Sequence, residues 1–173
     1  MEECMTFGRS LLFVMWWMVA FCAGAYAEGL PQPQGKPILS VSGHIRNLNA
    51  SGTAQFDREM LEALGMEVIE TATPWYEGRT RFEGVSLDKL MQLVGAEGTT
   101  VTAVALNDYV TTIPMADFKK FGVLLALKRD GAYMPVRDKG PLFIVYPYDS
   151  DPQLATQTYY GRSAWQLAKL VVQ

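Results

Sequence analysis

The sequence predicts one α+β domain, a set of mixed β-sheets with a few short helices. Three observations lead there. Short strand-like runs recur along the chain, several of them alternating apolar and polar residues. Two short helical segments between them carry their own cap and stop residues. No repeat, and no linker long enough to separate a pair of domains, interrupts the 173 residues.

Ile38 to Arg46 alternates as a strand through Leu39, Val41, Gly43 and Ile45. Asn47 to Gln55 is polar and glycine-containing, the composition of a loop. Asp57 suits the N-cap of a helix over Arg58 to Leu64, with Met60, Leu61 and Leu64 on one face and Gly65 as the stop. Met66 to Thr73 reads as a strand, Thr73 to Arg81 as a loop, and Phe82 to Val85 as a brief strand. Ser86 caps a helix bearing Leu87, Leu90, Met91 and Val94, ended by Gly95. Thr100 to Leu106 and Tyr109 to Ile113 pair about a turn at Asn107 and Asp108. Met115 to Phe121 reads as a turn of helix, and Val123 to Lys128 as a strand closed by Asp130 and Gly131. Leu142 to Tyr146 is apolar at every position, which predicts a strand buried on both faces. Ser150 to Gly161 reads as a polar loop, and a final strand ends on Leu170, Val171 and Val172.

The first 27 residues are read as a signal peptide. Leu11 to Ala25 is an uncharged apolar run, and Ala25 and Ala27 place small residues at a cleavage site after Ala27. That predicts export to the periplasm, with an uncleaved anchor as the alternative. Glu2 and Glu3 are foreign to such a leader, so Met5 competes with Met1 as the start. Residues 28–37, with Pro31, Pro33 and Pro37, form an extended leader, and 38–173 form the domain.

Composition excludes several chemistries. A net charge of -3 leaves no electrostatic footprint for nucleic acid. The two cysteines, Cys4 and Cys22, lie in the leader, so the mature chain has no thiolate ligand, thiol nucleophile or disulfide. His44 is the only histidine, and a lone histidine is usually a surface or hydrogen-bonded residue. Neither metal-ligand spacing, a G-x-S-x-G serine nor a glycine-rich phosphate loop occurs. What remains is charge and aromatics gathered at the ends of rigid segments. Arg137, Asp138 and Lys139 precede the Leu142–Tyr146 strand, and Tyr148 and Asp149 follow it; such places suit a flat polar ligand. Thr73 to Arg81 packs Trp75, Tyr76, Arg79 and Arg81 into nine residues with a carboxylate.

The order of motifs resembles a known family. Val123 to Gly131, a short gap, then Lys139 to Pro147 is similar to the molybdopterin-binding domain of the sulfite-oxidase family, whose strand reads "GxPLRxxxP". Phe143 stands where that family usually has Arg. Phe82 to Leu90 resembles its "W-x-G-V-x-L-x-x-L", Asn107 to Pro114 its "GYT…(L/I)P", and Arg162 to Trp165 its closing "(K/R)W" segment. Thr71 to Trp75 lies where the enzymes have a "TLxC" cysteine, and Pro74 or a neighbour takes that place here. Without a soft anionic ligand the metal would rest on the pterin dithiolene alone.

The resemblance therefore implies a domain that is not a molybdenum enzyme. It points to short exported relatives without the metal site, some of which are periplasmic pterin-binding proteins. These relay pterin to the periplasmic domain of a membrane-bound enzyme that makes or degrades cyclic di-GMP, and so influence biofilm formation. A pterin needs aromatic platforms and a donor–acceptor edge. Trp75, Tyr76, Tyr109, Tyr148 and Trp165 are candidate platforms, although Trp165 at a strand start reads as a core residue before a contact. Asn107, Asp108 and Asp138 are candidates for the edge; Arg79, Arg81, Arg137 and Arg162 for ring or side-chain oxygens. Two alternatives stand beside this reading: a molybdopterin-dependent oxidoreductase or its subunit, and an interaction module with an emptied pocket.

Overall fold

The computed structural model describes residues 29–173, so the proposed leader peptide and its cleavage site lie outside the described residues. Among the described residues, one mixed and one antiparallel five-stranded sheet and four short helices make up the domain, an α+β architecture. The first sheet runs β2 (Ala54–Phe56), β1 (Leu39–Gly43), β10 (Leu167–Val172), β5 (Thr100–Ala105), β6 (Val110–Pro114). Among the described residues only β1 and β10 pair in parallel, with Val41 opposite Leu170, which ties the two ends of the domain together. The second sheet runs β3 (Glu67–Thr73), β4 (Tyr76–Ser86), β7 (Leu124–Arg129). Two short strands, β8 (Ala132–Tyr133) and β9 (Phe143–Val145), then share the far edge of β7.

The predicted caps hold. Asp57 accepts from the Met60 amide at the start of α1 (Arg58–Glu62), and Ser86 accepts from the Lys89 amide at the start of α2 (Leu87–Leu93). Asp130 and Gly131, with φ of 50° and 81°, make the primed turn that joins β7 to β8. Leu142 through Tyr146 are all fully buried, as their uniform apolarity requires. Gly43 ends β1 at φ 86°, where a Cβ would sit 2.1 Å from the Val172 carbonyl oxygen.

Three segments depart from expectation. Thr73–Arg81 is not a loop: Pro74 and Trp75 form a tight turn and β4 starts at Tyr76. Its Thr80 and Phe82 point inward between exposed Arg79 and Arg81, a period-two pattern hidden by the charged composition. Ser150–Gly161 is not irregular either. It holds a 3₁₀ turn at Pro152–Leu154 and the helix α4 (Gln157–Arg162), with Leu154 as its buried anchor. Finally, the Asn47–Gln55 loop gives way to β2 at Ala54. A further helix, α3 (Ala116–Phe121), follows β6 and ends on left-handed Gly122.

The sheets meet where β9 and the approach to β10 run side by side. Ile144 donates to the Ala164 carbonyl and Phe143 bridges Trp165. That junction brings the β3–β4 turn, the β5–β6 turn and α4 to one place. Among the described residues, no helix is long and apolar enough to cross a membrane.

Candidate functional site

A cleft of about 290 Å³ opens at this junction. Pro74 and Trp75 of the β3–β4 turn and Tyr109 of the β5–β6 turn form one wall. Gln157, Tyr160 and Gly161 of α4, with Ser163 and Trp165, form the other. Each side chain is held by the backbone behind it. Thr73 Oγ1 accepts from the amides of Trp75 and Tyr76 and fixes the turn, as an ST-motif does. Asn107 Oδ1 accepts from the Tyr109 amide, and Asp108 at φ 64° completes the other turn.

Trp75 is the keystone of the aromatic cluster. Its ring meets Phe143, Tyr160 and Trp165 edge-on at centroid distances of 5.3, 5.8 and 5.5 Å, and Tyr148 at 6.2 Å. Edge-on packing of this kind is worth about 0.5–1.5 kcal/mol per pair beyond area burial. Tyr109 and Trp165 lie parallel within 5°, centroids 6.4 Å apart, and the Tyr109 hydroxyl donates to the Gly161 carbonyl at 2.7 Å. That bond ties the strand wall to the helical wall across the cleft.

Behind the cleft the polar groups are saturated. Tyr148 is 2% exposed, and its hydroxyl is bonded to Ser163. Burial pushes its phenol far above the ordinary range, so it stays neutral. Ser163 in turn donates to the Tyr159 carbonyl at 2.8 Å. The end of α4 is moored by Arg162, which donates to Asp117 Oδ2 at 2.7 Å; the Tyr146 hydroxyl donates to the same oxygen at 2.9 Å. Burial first, and then the Asp117 charge, drive the Tyr146 phenol well upward.

The structure brings some of the sequence-derived candidates to the cleft and leaves others away from it. Trp75 and Tyr109 line the cleft. Tyr148 and Arg162 support its walls from behind, and Asn107 and Asp108 build the turn that presents Tyr109. Tyr76 and Asp138 sit in a separate cluster: the Tyr76 hydroxyl donates to Asp138, and Arg129 pairs with Asp138 at 2.9 Å while lying 4.2 Å over the Tyr76 ring. Arg79 pairs with Asp149 at 2.7 Å on the exposed face of β4, and Arg137 lies exposed in a 3₁₀ turn. Trp165 is both core and contact. The residues that composition did not reveal are Pro74, Gln157, Tyr160, Gly161 and Ser163, four of them in or next to a helix hidden inside a polar run. Tyr159 and Tyr160, adjacent aromatics in that run, were the one available signal.

The geometry is that of an α+β domain with an aromatic cleft at the seam of its two sheets. Residues 53–149 match the oxidoreductase molybdopterin binding domain, and the chain belongs to that family. Comparison with curated proteins finds no match. The match spans β2 to β9 and so contains the strand wall, whereas the helical wall lies beyond it.

The site fits one half of the family's cofactor. Its flat aromatic walls suit the pterin ring, and its volume is at the lower end of the ~300–1,000 Å³ of drug-sized sites. The metal half finds no protein ligand. The cleft side chains offer no thiolate, imidazole or carboxylate, and residues 29–173 contain no cysteine.

Proposed function

We propose that the protein is a periplasmic pterin-binding receptor that performs no molybdenum-centred redox chemistry. In this reading it reports pterin availability to the periplasmic domain of a membrane-bound cyclic-di-GMP cyclase or phosphodiesterase, and thereby bears on biofilm formation. The observation that carries the proposal is the cleft itself: four aromatic side chains, Trp75, Tyr109, Tyr160 and Trp165, around a space lined by no thiolate, imidazole or carboxylate. Stacking on such faces contributes about 1–3 kcal/mol per ring. Two faces and a hydrogen-bonded edge approach the ~8 kcal/mol of a micromolar ligand. Gln157 is the edge partner, because its amide both donates and accepts opposite a guanine-like pattern.

Signalling requires that ligand favour one conformer over another. Here the ligand bridges a wall of paired strands and a helix with no buried residue, so occupancy draws α4 toward the strands. Isothermal titration with a reduced pterin tests the proposal. Low-micromolar binding that Trp165→Ala weakens by roughly tenfold or more is expected; no heat at high micromolar concentration contradicts it. Family membership is equally compatible with one other reading, a molybdopterin-dependent oxidoreductase or its subunit. Stoichiometric molybdenum in protein matured in its own compartment would establish that alternative.

A further inference from the structure

A second concave surface lies on the outer face of the first sheet, distinct from the cleft. Leu106 and Val136, two large apolar side chains that are 54% and 51% exposed, rim a groove of about 330 Å³ floored by Ile38 and Pro141. Lys36 and Lys169 stand on the same rim. Both are exposed, no carboxylate lines the groove, and among the described residues neither lysine has an ion-pair partner. Elsewhere the domain's cations are mostly committed: Arg46, Arg79, Arg81, Lys89, Lys128, Arg129 and Arg162 all pair with acids. Exposed apolar anchors beside unpaired charge of one sign are the composition of a recognition surface.

Gln166 connects this surface to the cleft, beside the β5–β6 turn that carries Leu106 on one side and Tyr109 on the other. Gln166 follows the cleft residue Trp165 and is held at φ 53°, a region non-glycine residues rarely adopt. Its carbonyl accepts from the Leu106 amide at 2.8 Å, its side-chain amide donates to the Val136 carbonyl at 2.6 Å, and its own amide donates to the Lys139 carbonyl. Asp108 and Lys139, beside the two anchors, are also left-handed. Strained backbone of this kind persists where the surroundings over-determine it, and it clusters at binding and switch sites.

We infer that the Leu106–Val136 groove docks a segment of a partner protein that presents carboxylates flanking apolar side chains. Charge complementarity selects that chemistry: two free lysines on an apolar trough disfavour a basic segment and leave a neutral one without rim contacts. A segment rather than a flat lipid surface is indicated, because the anchors flank a recess instead of projecting from a plane. Movement of Trp165 reaches both anchors through Gln166, so the groove is placed to sense the cleft. Only that last relation rests on the function proposed above.

The test is photo-crosslinking in the exported full chain, with Leu106→p-benzoylphenylalanine and, separately, Val136→p-benzoylphenylalanine. The inference expects one crosslinked protein whose attached peptide carries Asp or Glu around apolar residues. The yield should fall about tenfold with Lys36→Glu plus Lys169→Glu, and return when the partner's acids are changed to Lys. Crosslinks to a second copy of the chain, to residues 1–28 of the same chain or to lipid overturn it, as does a yield indifferent to the charge reversal. Titration of reduced pterin into Leu106→Glu separates the two claims. Unchanged affinity is expected there, and loss of binding in the wild type as well would condemn the cleft reading while leaving the crosslinking result to stand or fall alone.

Discussion

One wall of the cleft stands on paired strands, and the other hangs on a six-residue helix. Trp75 and Tyr109 project from hairpin turns whose strands are hydrogen-bonded along their lengths, β3 to β4 and β5 to β6. In the other wall, the helix α4 has no fully buried residue and no side-chain cap, and it is held by the Arg162–Asp117 pair, the Tyr109 hydroxyl and ring contacts of Tyr159 and Tyr160. The difference separates two tasks. Strand-borne rings give a ligand a fixed platform, whereas a helix with few buried contacts belongs to the low-stability end of the molecule, from which moving elements are drawn.

The largest effect should come from removing the platform. Trp75→Ala deletes four ring contacts at once and is expected to cost about 3 kcal/mol, the lower end of the range for buried Trp truncation because the ring is only partly buried. Thermal unfolding should show a midpoint lower by roughly 10 °C, with pterin binding lost. A smaller change in midpoint than Arg162→Ala produces would reverse the proposed ranking of the walls.

Arg162→Ala attacks the other wall. Breaking a buried ion pair costs ~3–5 kcal/mol, and the partial exposure of Arg162 lowers that to about 2 kcal/mol. Limited proteolysis should then cut faster within Asp151–Ser163 while the β3–β4 hairpin keeps its protection. Equal acceleration in both regions would mean that the walls are not separate units.

Asp57 offers a control remote from both walls. Its carboxylate accepts from the amides of Gly35, Met60 and Gln34 and is held below the ordinary carboxylate value of 3.8, with the Gly35 bond the largest cause. A lowered folded value means that the unfolded chain takes up the proton first as pH falls. The stabilisation is therefore complete above pH 3.8 and is lost below it, as the pH falls through the folded value. Asp57→Ala should cost about 1 kcal/mol at neutral pH, with the gap to wild type closing in acid and pterin affinity unchanged. Denaturant titrations at a series of pH values would show it, and a gap that widened in acid would refute the assignment.

The smallest effect is expected at Arg79, whose partner Asp149 shares an exposed face. Arg79→Ala should shift stability by less than about 0.5 kcal/mol and affinity by less than about twofold. A large loss of affinity would bring ligand to the outer face of β4.

Local signals were legible wherever the chain settles its own geometry. Asp57 and Ser86 announced helix starts, Asp130 and Gly131 a primed turn, and Leu142–Tyr146 a doubly buried strand, because each depends on a few adjacent residues. Trp75–Arg81 misled because its inward positions are few: Thr80 is the only buried one before Phe82. α4 was illegible because none of its residues is buried, so it leaves no apolar stripe. The parallel pairing of β1 with β10 joins segments some 130 residues apart, beyond the reach of any local pattern. Trp75 and Tyr109 were recoverable as large aromatics in turns, but their meeting with Trp165 is a product of the seam between sheets.

The most direct test is to release and quantify the small molecules carried by protein purified from the compartment in which it matures. Fluorescence and mass analysis would measure pterin, and elemental analysis molybdenum, each against protein. A near-stoichiometric pterin without molybdenum is the result predicted from an aromatic cleft that lacks a metal ligand. Stoichiometric molybdenum would contradict it, and so would a cleft that carries no pterin and stays empty when reduced pterins are added.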